Sequence, residues 1–244
     1  MFTRRKVLTA VSETVQTVVD NDAKVCRYTV KVDQNVPLNS DQTVIIQNAS
    51  AGGVGFLWDN VKVTKTNSNG LRIKTSNGTV KNCSFMGLGF SGVNMVPEFG
   101  SWPECGPVSN ITVESNLFDS CSRFTEHYKT IWNEPGRYSD ITVMISEVPK
   151  GQTEAGDPLF CLHQGIIIRG NIFRNSYAYN QIAISNAKNV VIEKNTFESV
   201  NGTHAPILLK SGYDITIKDN TYQAEVSVFY ENRNGWAKNV MFQR

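Results

Sequence analysis

Five hexapeptides of one pattern recur along this chain, and together they leave few folds open. Val80-Lys81-Asn82-Cys83-Ser84-Phe85 sets the form: an apolar residue, two polar ones, a place held by Cys83, any residue, then an aromatic. The others run from Val113 to Phe118, Ile168 to Phe173, Ile192 to Phe197 and Ile217 to Tyr222. Their fourth place holds Asn116, Asn171, Asn195 and Asn220. A short alternating segment lies upstream of each, such as Val190-Val191-Ile192. Phe56 and Phe242 extend the series at both ends. The intervals Phe56 to Val80, Ile168 to Ile192, Ile192 to Ile217 and Ile217 to Phe242 are 24, 24, 25 and 25 residues. A fixed period of this length is the mark of a repeat architecture.

A second strand follows each turn: Val93 to Met95, Val143 to Ile145, Ile182 to Ile184, Ile207 to Leu209 and Val226 to Val228. In each, two apolar residues flank one that faces the other way. A coil of ~24 residues with two or three short strands and an Asn-bearing turn predicts an all-β fold, a right-handed parallel β-helix of about seven coils. Equivalent strands of successive coils then pair ~4.8 Å apart. Stacked Asn side chains bond up the ladder and stacked Phe rings fill the interior corner. The 24 asparagines fit a chain of many turns. Propeller blades need ~40–50 residues, and the Leu positions of a leucine-rich repeat are absent.

Residues 1–45 do not follow the coil and read as a strand-rich N-terminal or capping segment, with 46–244 as the β-helix. Val25 to Val32 alternates, and Val44 to Ile46 is a further strand candidate, in an antiparallel lead-in. Residues 7–19 fit either a β segment or an amphipathic cap helix.

Composition removes other classes. Lys+Arg 24 against Asp+Glu 22 is too balanced for a protein that binds nucleic acid by blanket phosphate neutralisation. No apolar run approaches the ~20 residues of a membrane span. The five cysteines include no C-x-x-C pair, so neither a structural zinc nor another metal or cofactor is expected, and an odd count leaves one thiol over. The opening residues loosely resemble a twin-arginine signal, but Glu13 and Gln16 interrupt any apolar region, so no signal peptide is expected. The sequons at Asn48, Asn77, Asn82, Asn110 and Asn201 are expected mainly as turn residues.

Two coil intervals are too long: Val80 to Val113 and Val113 to Ile168. The excess falls at 96–108, 119–140 and 146–164. Insertions in a solenoid stand out as loops and mark the binding face. Since they flank the same strand in adjacent coils, they are expected as walls of one groove. Its floor would be Asn94, Thr142, Met144, Ala183, Ser185, Leu208 and Lys210. The loops hold Trp102, Trp132, His127, His163 and many carboxylates. A flat ring packs on the apolar face of a sugar, and paired acids cleave a glycosidic bond. The candidates for catalysis are Glu98, Glu104 and Asp157. Those for substrate contact are Trp102, Trp132, Glu134, His127, His163, Asn94 and Lys210.

Residues 70–75 (GLRIKT), 80–85 (VKNCSF), 102–106 (WPECG) and 110–113 (NITV) resemble the C-terminal half of the α-1,3-galactosidases of glycoside hydrolase family 110. They also resemble other right-handed β-helix proteins of the pectate-lyase-like superfamily. The similarity spans about residues 20–225. It implies a glycosidase acting on galactose-containing or other saccharides, secreted or at the cell surface. The paired aspartates of that family have no counterpart here, since the chain contains no Asp-Asp. Glu98, Glu104 and their neighbours would then do the work, or the β-helix only binds glycan, as an adhesin-like module does. A polysaccharide lyase would use Lys210 as base, but the floor lacks the Asp ligands of a Ca²⁺ site.

Overall fold

The computed structural model describes residues 10–20, 23–33, 54–97, 106–125, 138–145, 161–198, 204–222 and 226–244. The chain divides into two compact units, residues 1–44 and 45–244. In the first, strand Ala10–Asp20 pairs antiparallel with Ala23–Val32, Asp20 opposite Ala23. The segment at 7–19 is therefore strand, not helix, from Ala10 onward. Its β-branched Val and Thr residues favour that outcome. The strand expected at Val44 lies outside the described residues.

The second unit winds through three parallel sheets. The long sheet has seven strands: Val54–Asp59, Ser76–Lys81, Ser109–Glu114, His163–Arg169, Ala187–Glu193, Gly212–Lys218 and Ala237–Gln243. A two-residue corner leads from each of the first six to the aromatic sheet, of Lys62–Thr64, Ser84–Met86, Leu117–Asp119, Ile172–Arg174, Thr196–Phe197 and Thr221–Tyr222. The third sheet comprises Leu71–Arg72, Val93–Met95, Ile141–Val143, Ile182–Ile184, Ile207–Leu209 and Tyr230–Asn232. Each coil contributes one strand to each sheet, every neighbour is parallel, and the apolar side chains between the sheets form one core. This is a right-handed parallel β-helix.

The corner after the long sheet shows why the hexapeptide recurs. Its first residue takes a left-handed backbone in every coil: Asn60, Asn82, Ser115, Gly170, Lys194 and Asp219 have φ between 53° and 62°. The next is the buried Asn. The Asn116 amide donates to Asn171 Oδ1, Asn171 to Asn195 Oδ1 and Asn195 to Asn220 Oδ1, each at 3.0 Å. Each amide nitrogen also donates to a long-sheet carbonyl of the coil before, as Asn195 does to Ile168 O at 2.9 Å. Each Oδ1 accepts a backbone N–H too, as Asn195 does from Asn171 at 3.0 Å. Donor and acceptor on one short side chain suit a stack that repeats at the strand spacing.

Cys83 takes the same place with a thiol. The Val61 N–H donates to Sγ at 3.4 Å and Sγ reaches Trp58 O at 3.6 Å, the two bonds an Asn would make there. Two residues on, Phe85, Phe118, Phe173, Phe197 and Tyr222 stack with ring centroids 5.0–5.3 Å apart.

Three registers differ from expectation. Trp58, not Phe56, lies beside Val80, while Phe56 faces Gly78. A Cβ on Gly78 would come within 1.9 Å of the Phe56 ring, so this glycine makes room for the first coil's aromatic. The third-sheet strand of the third coil is Ile141–Val143 rather than Val143 to Ile145. A slip of two leaves the inward and outward faces unchanged, so alternation alone does not fix it. In the sixth coil the strand is Tyr230–Asn232, with Tyr230 beside Ile207, and Val228 is exposed. Asn77, Asn82 and Asn110, all in sequons, have positive φ; Asn82 sits at the corner, whereas Asn77 and Asn110 are the second residues of their long-sheet strands, where Asn110 donates to Asn77 Oδ1.

Candidate functional site

The three insertions root at the two edges of the third sheet. Residues 98–105 and 146–160 leave after the strands Val93–Met95 and Ile141–Val143 and return to the long sheet; residues 126–137 precede the latter strand. Asp119 is still strand, as are His163 and Gln164, so the second and third insertions are shorter than their expected bounds. Glu98, Trp102, Glu104, His127, Trp132, Glu134 and Asp157 lie outside the described residues.

The outward row of the third sheet runs Arg72, Asn94, Thr142, Ala183, Leu208, Glu231. The sequence predicts an open floor at Asn94, Thr142, Ala183 and Leu208 of this row. Instead Asn94 is 7% exposed, and Thr142, Ala183 and Leu208 at most 2%; only the charged ends reach solvent. Met144 and Ser185 are buried as well, and Lys210 is half-buried. Thr142 spends its hydroxyl internally, donating to Ser139 O at 3.2 Å and lying 3.0 Å from Ser91 Oγ. Asn94 keeps a buried Oδ1 without a partner.

His163 does not face the groove. It is fully buried: Nδ1 accepts the Val108 N–H at 3.1 Å and Nε2 donates to Met144 O at 3.2 Å. Burial pushes its pKa down to about 4, against the pull of those two backbone bonds. With both nitrogens engaged, the neutral ring ties together the roots of 98–105 and 146–160, and its assignment as a substrate contact is withdrawn.

Sequence reasoning missed what lies at the edge between the aromatic and third sheets. Thr125 donates its hydroxyl to Ser122 O at 2.7 Å and lies 3.4 Å from Tyr138 O. Beneath it sits Asp140, fully buried, its Oδ1 accepting from Ser176 Oγ at 2.9 Å and Ser122 Oγ at 3.3 Å. Burial drives the carboxyl up to about 7, the two serine bonds working in the opposite direction. Its Oδ2 has no partner, nor has either amide atom of Gln181, the residue stacked on it in the next coil.

Above this corner runs a strip of rings from four successive coils. Phe90 lies 5.0 Å from Tyr138 and 5.6 Å from Phe124, and Tyr179 lies 4.7 Å from His204. Tyr177 is 51% exposed, His204 is exposed, and the others are half-exposed. Tyr177 and Tyr179 share one short turn, two bulky rings in a segment with no inward strand position to fill. That was the readable sign that they face outward. Among the described residues no group of three or more His, Cys, Asp or Glu is placed to hold a metal ion, and no helix is long and apolar enough to cross a membrane.

The family model for a right-handed β-helix region matches residues 150–243, the last four coils. No curated protein matches the chain.

Proposed function

We propose that the protein is a carbohydrate-active β-helix, a glycoside hydrolase that holds a galactose-containing or other saccharide along the edge between the aromatic and third sheets. The observation that carries this reading is the strip of partly exposed rings from Phe90 to His204, rooted at the same edge as residues 126–137. Successive coils repeat at ~4.8 Å, so the rings offer a row of flat apolar faces along the edge, the kind of surface on which a sugar's apolar face packs. In this reading Trp132, Glu134 and His127 add contacts from the same edge, while Glu98, Glu104 and Asp157, with Trp102, belong to insertions rooted at the other edge of the third sheet and supply general acid, general base and a further contact from that side. The likeness to family 110 galactosidases guides the choice of substrate.

A second reading, a glycan-binding module without turnover, is favoured by a specific observation. The outward row is closed by burial and carries no carboxylate between Arg72 and Glu231, and Asp140 is too deep to touch a ligand. A lyase built on Lys210 ranks third, since that side chain is half-buried.

The deciding experiment incubates the purified chain with a panel of galactosides and acidic polysaccharides and measures both product and bound sugar. Turnover that falls at least ~10²-fold in Glu98→Gln or Glu104→Gln supports the hydrolase, the range of a lost general acid. Saturable binding without turnover, weakened by Tyr177→Ala, supports the module. Neither binding nor turnover on the whole panel overturns both.

A further inference from the structure

The outer face of the long sheet carries two straight rows. The first is Leu57, Thr79, Thr112, Ile167, Val191, Thr216 and Met241, side by side in register. Its ends are 61% and 59% exposed and its middle is half-exposed. Two residues further along each strand the second row runs Asp59, Lys81, Glu114, Arg169, Glu193, Lys218 and Gln243. Charge alternates in sign over six coils without a break. Lys81 pairs with Asp59 at 3.4 Å, Arg169 with Glu114 at 2.6 Å and Lys218 with Glu193 at 3.3 Å.

Alternation within one chain keeps like charges from lying opposite each other across a ladder. An even number of alternating charges has a second property: turned end for end, the row is its own complement. We propose that this face docks a second copy of the same chain, the two β-helices face to face and running in opposite directions. Their two-fold axis lies across the row between Glu114 and Arg169. Glu114 then faces Arg169 of the second copy, Lys81 faces Glu193, and Asp59 faces Lys218. In the apolar row Thr112 meets Ile167, Thr79 meets Val191 and Leu57 meets Thr216. A shift of one coil sets like charges opposite one another, and a shift of two leaves two of the six charges unpaired, so the register that pairs all six is favoured.

Seven strands ~4.8 Å apart, each offering about four to six residues, give roughly 1,000 Å² over both partners, at the lower bound for a specific interface. The dimer is therefore weak, and its charge pairs make it sensitive to salt. This inference does not depend on the saccharide reading.

The test is molar mass by light scattering over a concentration series of the full chain, at low and high salt. The expected result is a monomer–dimer equilibrium whose dissociation constant rises at least ~10-fold in high salt. Ile167→Lys, at a half-exposed outward position, should leave a monomer with an unchanged unfolding midpoint. Because that variant could also disturb the coil, a second experiment mixes a Thr79→Cys copy with a Val191→Cys copy and a short bismaleimide, which spans the ~10 Å between facing sheets that a disulfide cannot. A mixed crosslinked dimer in excess of either homodimer is expected. A chain monomeric at every concentration, or a dimer indifferent to salt and to Ile167→Lys, overturns the proposal. So does equal crosslinking of all pairings.

Discussion

Two corners of the same coil solve the problem of buried polar atoms in opposite ways. At the corner after the long sheet, Asn116, Asn171, Asn195 and Asn220 satisfy one another and the adjacent backbone. At the corner before the third sheet, Asp140 and Gln181 lie equally deep, yet Asp140 Oδ2 and both Gln181 amide atoms lack partners. The first corner repeats with little change in every coil. The second changes residue from coil to coil and gives root to residues 126–137. Regularity marks where the fold is built, and the unsatisfied corner marks where another demand competes with stability.

The comparison yields testable differences. The largest expected effect is at the regular corner: Phe197→Ala, which removes a fully stacked interior ring, should cost ~3–5 kcal/mol by urea unfolding. A neutral result would mean that the stack is not what holds adjacent coils together.

Next is the pH response of the irregular corner. Asp140 is raised from 3.8 to about 7 when folded, so its stabilising contribution is full below pH 4 and is lost as pH climbs toward 7. Asp140→Asn should change stability little at pH 4 but gain up to about 4 kcal/mol over the parent at pH 8, from a shift of roughly three units. His163 runs the other way. Its folded value of about 4 means stability is lost as pH falls from 6.5. Between pH 4 and 6.5 the two slopes oppose, and the parent's unfolding midpoint should be nearly flat there. A steep rise toward pH 8 in both parent and Asp140→Asn would rule out this role for the carboxyl.

A direct contrast follows. Asn195→Ala strands the Asn171 donors and should cost about 2–3 kcal/mol, because buried groups lose partners. Gln181→Leu strands nothing and should be neutral or slightly stabilising. Equal losses in the two variants would erase the distinction between the corners. The smallest effect belongs to Cys83→Asn, which completes the ladder with its usual residue and should move stability by less than ~1 kcal/mol.

The regular corner was readable because its chemistry is local and repeats. An Asn two residues ahead of an aromatic, every 24 or 25 residues, specifies turn, ladder and stack together. Even Cys83 stood out as a substitution in the series. The alternating charges at Lys81, Glu114, Arg169, Glu193 and Lys218 sit in the same hexapeptides and were equally legible, but only pairing in register gives them and Asp59 meaning. The third-sheet strand of the third coil was misplaced because Ile141 to Ile145 alternates throughout, and two registers present the same faces.

The candidate site was legible only as a location. Loop length at 96–108, 119–140 and 146–164 pointed to the third sheet, and the loop roots are there. Exposure was not legible. Outward alternation promised an open floor at Asn94, Thr142, Ala183 and Leu208, and its place in an insertion put His163 among the candidate contacts, although a histidine directly before a strand is more often structural. Burial depends on what the rest of the chain lays over a position, which no local pattern carries.

The sequence by itself determined the coil, its period, the interior Asn and Phe columns and the place of the insertions, since each follows from spacing along one strand and turn. Only the tertiary structure decided which outward side chains reach solvent, that Asp140 and His163 are buried with pKa values moved in opposite directions, and that Tyr177, Tyr179 and His204 gather on one edge. Those properties arise from contacts between residues 19 to 55 apart in the chain, where solvent exclusion rather than backbone preference sets the energy.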